Sequence, residues 1–281
     1  MWSSEHRLLS FDGTPLFFRI LSPQNREPAA RVLILHGMGE HGGRYLALAE
    51  HLAAHGFESV VPDLRGFGKS GGPRAFARSY SAFHSDLSAI LAFVEKSRAK
   101  APLFYLGHSF GGLLVSSYLA MRQISAEGLI LSSPLFGIAS RVPTWRHVLG
   151  LLTAFCLPRY SQATSVAAEV LTHDETLIAL YKKDTLIYHR LTAGLYVEML
   201  KLMSERSQVA RNLNLPTLVL QSGDDRIVDR EKTQLFYEEL AATDKKLQLF
   251  PGLYHELFNE KERESIFETV STWILARIDH K

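Results

Sequence analysis

Several short stretches of this sequence hold residues of the types and spacing that acyl-transfer chemistry needs. Gly107-His108-Ser109-Phe110-Gly111 sets a serine between two glycines, after a strand-like run at 103–106 and before a helical run at 111–122. A sharp strand-to-helix turn pushes such a hydroxyl into the open, and small neighbours let the chain pack closely around it. The helix N-terminus offers backbone N–H groups to developing negative charge. The pentapeptide alone is weak, because with Gly near ~7% of residues a chain of this length carries one by chance in roughly one case in ten. The strand before it and the helix after it lift it above chance. Ser109 is the expected nucleophile. An oxyanion needs two donors: the N–H of Phe110, next to the serine, and the N–H of Met38, in the loop His36-Gly37-Met38-Gly39.

The hydroxyl also needs a base, and the base needs a carboxylate to orient it. With a nucleophile on this kind of elbow, the acid and then the histidine follow the serine in the chain. His255 and His280 remain. His280 is next to the last residue, where chains fray, so His255, in Gly252-Leu253-Tyr254-His255-Glu256, is the expected base. The acid lies in Gly223-Asp224-Asp225-Arg226. Spacing from the preceding strand favours Asp225 over Asp224, with Asp229 a distant third.

Such residues, far apart in sequence, need a scaffold that delivers their loops to one edge. Apolar runs at 6–11 and 16–21 around Asp12-Gly13 predict a hairpin. Strand-like runs follow at 31–35, 57–62, 103–106, 129–131, 217–220 and 247–250. Between them lie helical patterns at 44–55, ending at Gly56, at Phe83, Leu87, Ile90, Leu91 and Val94, and at 111–122; Ile266, Val270, Ile274 and Ile278 give the last. Alternating strands and helices predict an α/β fold, a mostly parallel eight-stranded sheet covered on both faces. Residues 138–210 break the rhythm with helical segments and no strand-like run. They are expected to form an inserted helical cap on a core of 1–137 and 211–281.

Bulk properties narrow the function class. Hydrophobic residues make up 46% and charged residues 21%, as in a globular protein. The formal charge of +2 and the lack of a basic block argue against nucleic acid as a partner. The N-terminus lacks the pattern of a secretory signal. The longest apolar stretch, 148–157, is half the ~20 residues a spanning helix needs. The lone Cys156 permits no internal disulfide and fits a reducing compartment. A cytoplasmic protein is expected, with peripheral contact to a lipid surface as an open addition.

Three features point elsewhere. Gly37-x-Gly39-x-x-Gly42 after a strand, with Asp63 about twenty residues on, matches the fingerprint of an NAD(P)-dependent oxidoreductase. That reading makes the Ser109 pentapeptide a coincidence and leaves the loops of Asp225 and His255 without a role. His51 and His55 have a metal-ligand spacing but lack the H-E-x-x-H glutamate, so they read as surface or packing histidines. Cys156, among apolar residues, reads as packing.

Four segments together resemble the monoacylglycerol lipase and lysophospholipase group of α/β hydrolases: 36–45 (HGMGEHGGRY), 63–72 (DLRGFGKSGG), 107–112 (GHSFGG), and 252–256 (GLYHE) with Asn259-Glu260. The resemblance aligns the acid with Asp225. It places Glu40 and Arg44 near the polar head of the substrate, where the pair could hydrogen-bond glycerol hydroxyls; the alternative is that it only braces the loop. Phe258 stands where some relatives have a polar residue. The expected activity is hydrolysis of lipid esters, best a monoacylglycerol to glycerol and fatty acid, with no metal or organic cofactor. Lysophospholipase, general carboxylesterase, acyltransferase and peptidase share the same chemistry. A catalytically silent binding module is the reading outside the enzyme class. The apolar stretch 148–157 would line an acyl tunnel, enter a lipid surface, or pack on the body.

Overall fold

The computed structural model describes residues 2–98, 100–122, 124, 126–140, 143–164 and 166–278. His280 lies outside them, as do positions 141, 142 and 165 of the expected cap. The chain runs β1 (Trp2–Leu9), β2 (Pro15–Ser22), β3 (Ala30–Leu35), α1 (Leu46–Ala54), β4 (Phe57–Asp63), α2 (Ser81–Ser97), β5 (Leu103–His108), α3 (Phe110–Arg122) and β6 (Gly128–Ser132). It continues with α4 (Thr144–Cys156), β7 (Ser161–Ala163), α5 (Glu175–Lys183), β8 (Arg190–Thr192), α6 (Ala193–Ser204) and α7 (Arg206–Asn212). The last elements are β9 (Thr217–Ser222), α8 (Arg230–Glu239), β10 (Lys245–Phe250) and α9 (Arg263–Ile278).

Among the described residues eight strands form one sheet in the order β1-β2-β4-β3-β5-β6-β9-β10. β1 and β2 pair antiparallel, as do β2 and β4, and the other pairs are parallel. β3, β4 and β6 are buried at every residue, which is why they read as unbroken apolar runs. One face of the sheet is covered by α2, α3 and α8, through residues such as Phe83, Leu114 and Phe236. The other is covered by α1 and α9, through Leu48, Leu52, Ile266 and Val270. Burying both faces fixes register, since a one-residue slip would turn each apolar set outward. This is the α/β-hydrolase architecture.

The structure corrects three expectations. The first strand is Trp2–Leu9 rather than 6–11. The turn begins earlier, at Ser10, whose carbonyl accepts from Gly13 N–H at 3.0 Å while its own N–H reaches Thr14 O at 2.9 Å. The segment 138–210 is not purely helical, because β7 and β8 pair antiparallel; three-residue strands are too short to leave a period in the sequence. Cys156 is exposed, so it does not serve as packing. In addition, α7 straddles the expected boundary at 210 and packs on α3 and α8.

Candidate active site

The C-terminal ends of four parallel strands supply the site. β3 leads into the loop of His36, β5 into Ser109, β9 into Asp225 and β10 into His255. Ligands of open α/β sheets collect at this edge. Ser109 follows β5 directly and precedes α3, with φ of +52°. A side chain in this left-handed region is strained by about 1–3 kcal/mol and is held there only by its surroundings. Here the Ser109 N–H donates to Ser132 O at 3.0 Å, and its carbonyl accepts from Leu113 N and Leu135 N at 3.1 and 3.0 Å. The flanking glycines are required by space. A Cβ on Gly107 would sit 2.6 Å from the Gly111 carbonyl, and one on Gly111 would collide with the carbonyls of Leu35 and His36.

His255 Nδ1 lies 2.8 Å from Asp225 Oδ2. The Asp225 side chain is wholly buried, and its other oxygen accepts from Ile227 N and Val228 N at 2.9 and 3.0 Å. Burial raises the Asp225 pKa, but the facing His255 and these hydrogen bonds outweigh it, and the net shift is downward. Burial lowers that of His255, but the Asp225 carboxylate outweighs it, and the net shift is upward. A carboxylate on Nδ1 leaves Nε2 as the atom free to take a proton. Asp224 is exposed, and Asp229 caps α8 by accepting from Glu231 N at 2.9 Å. Ser109 and His255 line one cavity of about 180 Å³ together with Met38, Glu40 and the apolar Leu135, Ile138 and Met199. Phe110 opens α3, so its N–H belongs to the helix turn that lacks intrahelical acceptors. Its ring packs edge-on against Phe83.

Behind this wall lies a buried ionic network. Glu40 Oε1 accepts from Gly37 N at 2.6 Å and from Tyr45 OH at 2.7 Å. Glu40 Oε2 accepts from Arg44 Nη1 at 2.8 Å. Arg44 then forks onto Glu256, at 2.6 Å to each carboxylate oxygen, and stacks over Tyr181. Burial raises the pKa of Glu40, but Arg44 and nearby groups bring it down to about 2. Glu40 borders the Ser109 cavity, whereas Arg44 borders a neighbouring surface cleft with Asp184 and Phe258. Phe258 is buried against Tyr45 and Phe267.

Sequence reasoning passed over two partners. Glu256 was quoted only as part of a motif, yet it ties the histidine loop to Arg44. His108 packs 4.7 Å from the ring of His255. Burial, helped by His255, pushes its pKa down to about 4, so it adds no positive charge near neutral pH. Pattern in the sequence could not find Glu256, because its partner lies 212 residues away.

The segment between β6 and β9 is tied to these loops. Tyr188 N–H donates to Gly39 O at 2.7 Å, and His41 Nε2 meets Asp184 at 2.8 Å. Buried Glu260 accepts from Tyr254 N at 2.7 Å and from His173 N at 2.9 Å. Its first helix, α4, packs on α6 and exposes Leu152 and Phe155, the latter 89% accessible. A second cavity of about 710 Å³ lies beneath α4 and shares Thr164, Val166 and Leu191 with the Ser109 cavity.

Residues 26–262 match the model of a family described as serine aminopeptidase, S33. The chain belongs to this family. It is 30% identical to the monoacylglycerol lipase of Mycolicibacterium smegmatis over 280 residues, 98% of each chain. To the monoglyceride lipase of Rattus norvegicus it is 32% identical over 278 residues, 96% of this chain and 90% of that one. The crystal structure of Paleococcus ferrophilus monoacylglycerol lipase superposes over all of both chains with a TM-score of 0.82 and 25% identity. Membership makes the chain a serine hydrolase, and the dinucleotide reading falls. The loop gives the physical reason. Gly37 N–H is held by Glu40 and Gly42 N–H by Asp63 at 2.9 Å, so neither the phosphate cradle nor the ribose acid is free.

Proposed function

We propose that the protein cleaves monoacylglycerols to glycerol and free fatty acid through an acyl-enzyme on Ser109. The observation that carries this is a serine, histidine and aspartate set opening on an apolar cavity that adjoins a larger one. Ser109 Oγ attacks the ester carbonyl while His255 Nε2 takes its proton. Asp225 holds the ring and stabilises the imidazolium. The N–H groups of Met38 and Phe110 receive the oxyanion. His255 then returns the proton to the departing glycerol oxygen, and water repeats the cycle on the acyl-enzyme. The acyl chain extends past Leu135 and Met199 toward the space under α4. Residues 138–210 act as a cap over the site, and the apolar face of α4 meets the lipid surface from which substrate is drawn.

Glu40 and Arg44 serve this reaction as a brace. Both oxygens of Glu40 and both terminal nitrogens of Arg44 are engaged within the protein, and Arg44 does not border the Ser109 cavity. Glu40 and Glu256, the carboxylates that border the cavity, already share the Arg44 cation, which speaks against aminopeptidase activity, because a free ammonium group favours a carboxylate with no cation of its own. The test compares mono-oleoylglycerol, oleoyl lysophosphatidylcholine and an aminoacyl amide, with wild type and Ser109→Ala. The expected result is preference for the monoacylglycerol and no turnover by the variant. Preference for the lysophospholipid rejects monoacylglycerol as the substrate, and full activity of Ser109→Ala rejects the nucleophile.

A further inference from the structure

The paired histidines read from sequence as packing residues acquire a third partner in the fold. His51 on α1 and His55 at its end lie one turn apart, and α9 brings Glu268 up against both. His51 Nε2 stands 3.6 Å from Glu268 Oε2, and His55 Nε2 stands 3.4 Å from the same oxygen. Tetrahedral metal–ligand bonds of about 2.0–2.2 Å place ligand atoms about 3.3–3.6 Å apart, so these separations already match two edges of such a polyhedron. Among the described residues this is the one group of three His, Cys, Asp or Glu side chains with ligand atoms so close, all within 4.8 Å.

Tautomer geometry supports the same conclusion. His55 Nδ1 lies 2.9 Å from the carbonyl of His51. A carbonyl only accepts, so Nδ1 carries the hydrogen and Nε2 presents its lone pair toward Glu268. A backbone carbonyl on the far nitrogen is the usual outer support of a metal-bound histidine. Ser271 Oγ donates to the Glu268 carbonyl at 3.1 Å and so accepts from His51 Nε2 at 3.2 Å, a hydrogen bond that a bound ion would replace. The rings are partly exposed and Glu268 is more than half exposed, so an ion can enter from solvent and keep a water as fourth ligand.

We propose that His51, His55 and Glu268 form a surface site for a divalent transition-metal ion of the Zn²⁺ type. On binding, the ion takes the Nε2 lone pairs of both rings and one Glu268 oxygen. Any proton on His51 Nε2 passes to Nδ1 or to solvent. The site is structural and stands apart from the Ser109 cavity. It clamps α1, which continues the oxyanion loop, to α9, which continues the histidine loop.

The experiment titrates metal-free protein with ZnCl₂ by calorimetry and with Co²⁺ by visible absorption, alongside Tm. Wild type is expected to bind one ion per chain, to show the bands of tetrahedral Co²⁺, and to gain roughly 2–5 °C in Tm at tenfold the dissociation constant. His55→Gln at a partly exposed ring and Glu268→Gln at an exposed carboxylate should each weaken binding at least about tenfold with metal-free Tm little changed. Hydrolysis of a soluble ester should be indifferent to chelator. The proposal is overturned if wild type shows neither Co²⁺ bands nor a Tm gain, or if binding survives both substitutions. A Tm gain that persists in Glu268→Gln also overturns it, by placing the ion elsewhere.

Discussion

Two regions, one behind the Ser109 cavity and one beside the cleft that adjoins it, are built on opposite terms. On the body side the buried charged groups behind the wall are engaged with one another. Glu40, Arg44 and Glu256 are buried and bonded to each other and to Gly37 and Tyr45. On the other side Leu152 and Phe155 of α4, and Leu157 just after it, are exposed. The contrast teaches where rigidity and adaptability are needed. Electrostatic stabilisation of a transition state works when the dipoles are fixed beforehand. Capture of a substrate dissolved in lipid works when apolar surface is left uncovered. Substitutions on the two sides should therefore fail in different ways.

The largest effects belong to the fixed side. Ser109→Ala should lower kcat by about 10⁵–10⁶ with Tm preserved, as judged by steady-state kinetics beside a thermal melt. Asp225→Asn should cost about 10⁴ in kcat, because the ring loses the acceptor that sets its tautomer. Arg44→Ala leaves two buried carboxylates without a cation, and denaturant unfolding should show a loss of about 3–5 kcal/mol. A loss below about 1 kcal/mol would mean that the network is solvated and the contrast is wrong.

A subtler effect concerns pH. In the proposed mechanism His255 must be neutral to accept the Ser109 proton, and its pKa is raised, so activity should be lost as pH falls through it. The acid limb of kcat/KM should have its midpoint above 6.5, and Asp225→Asn should move the midpoint down. The smallest chemical effect lies on the adaptable side. Leu152→Ser with Phe155→Ser should weaken binding to liposomes and leave a short soluble ester cleaved at the wild-type rate. Equal losses in both assays would place α4 in the fold rather than at the lipid surface.

The parts legible in sequence share a cause. Strands β2 to β6, β9 and β10 and helices α1, α2, α3 and α9 leave periodic or unbroken apolar runs, whereas the largely polar α8 does not, and Ser109 sits in a motif whose glycines are dictated by contact. Asp225 and His255 follow from chain order and strand ends. What stayed hidden depends on partners distant in the chain. Arg44 meets Glu256, and His51 and His55 meet Glu268, only after α1 and α9 pack on the same face of the sheet. The β7–β8 ribbon was hidden for a different reason, being too short for any pattern. The role of α4 split three ways in sequence because an all-round apolar helix looks the same whether it faces protein, ligand or lipid.

The fork of Arg44 onto Glu256 also has a consequence for how the protein is made. During synthesis the oxyanion loop and Ser109 emerge long before the histidine loop. Until residues 252–260 arrive, Arg44 lacks Glu256 and has Glu40 to bind, and the serine lacks its proposed base. In the proposed mechanism a nascent chain that holds Ser109 is thus without its base, and activity would begin only when the loop of His255 docks onto that of Arg44.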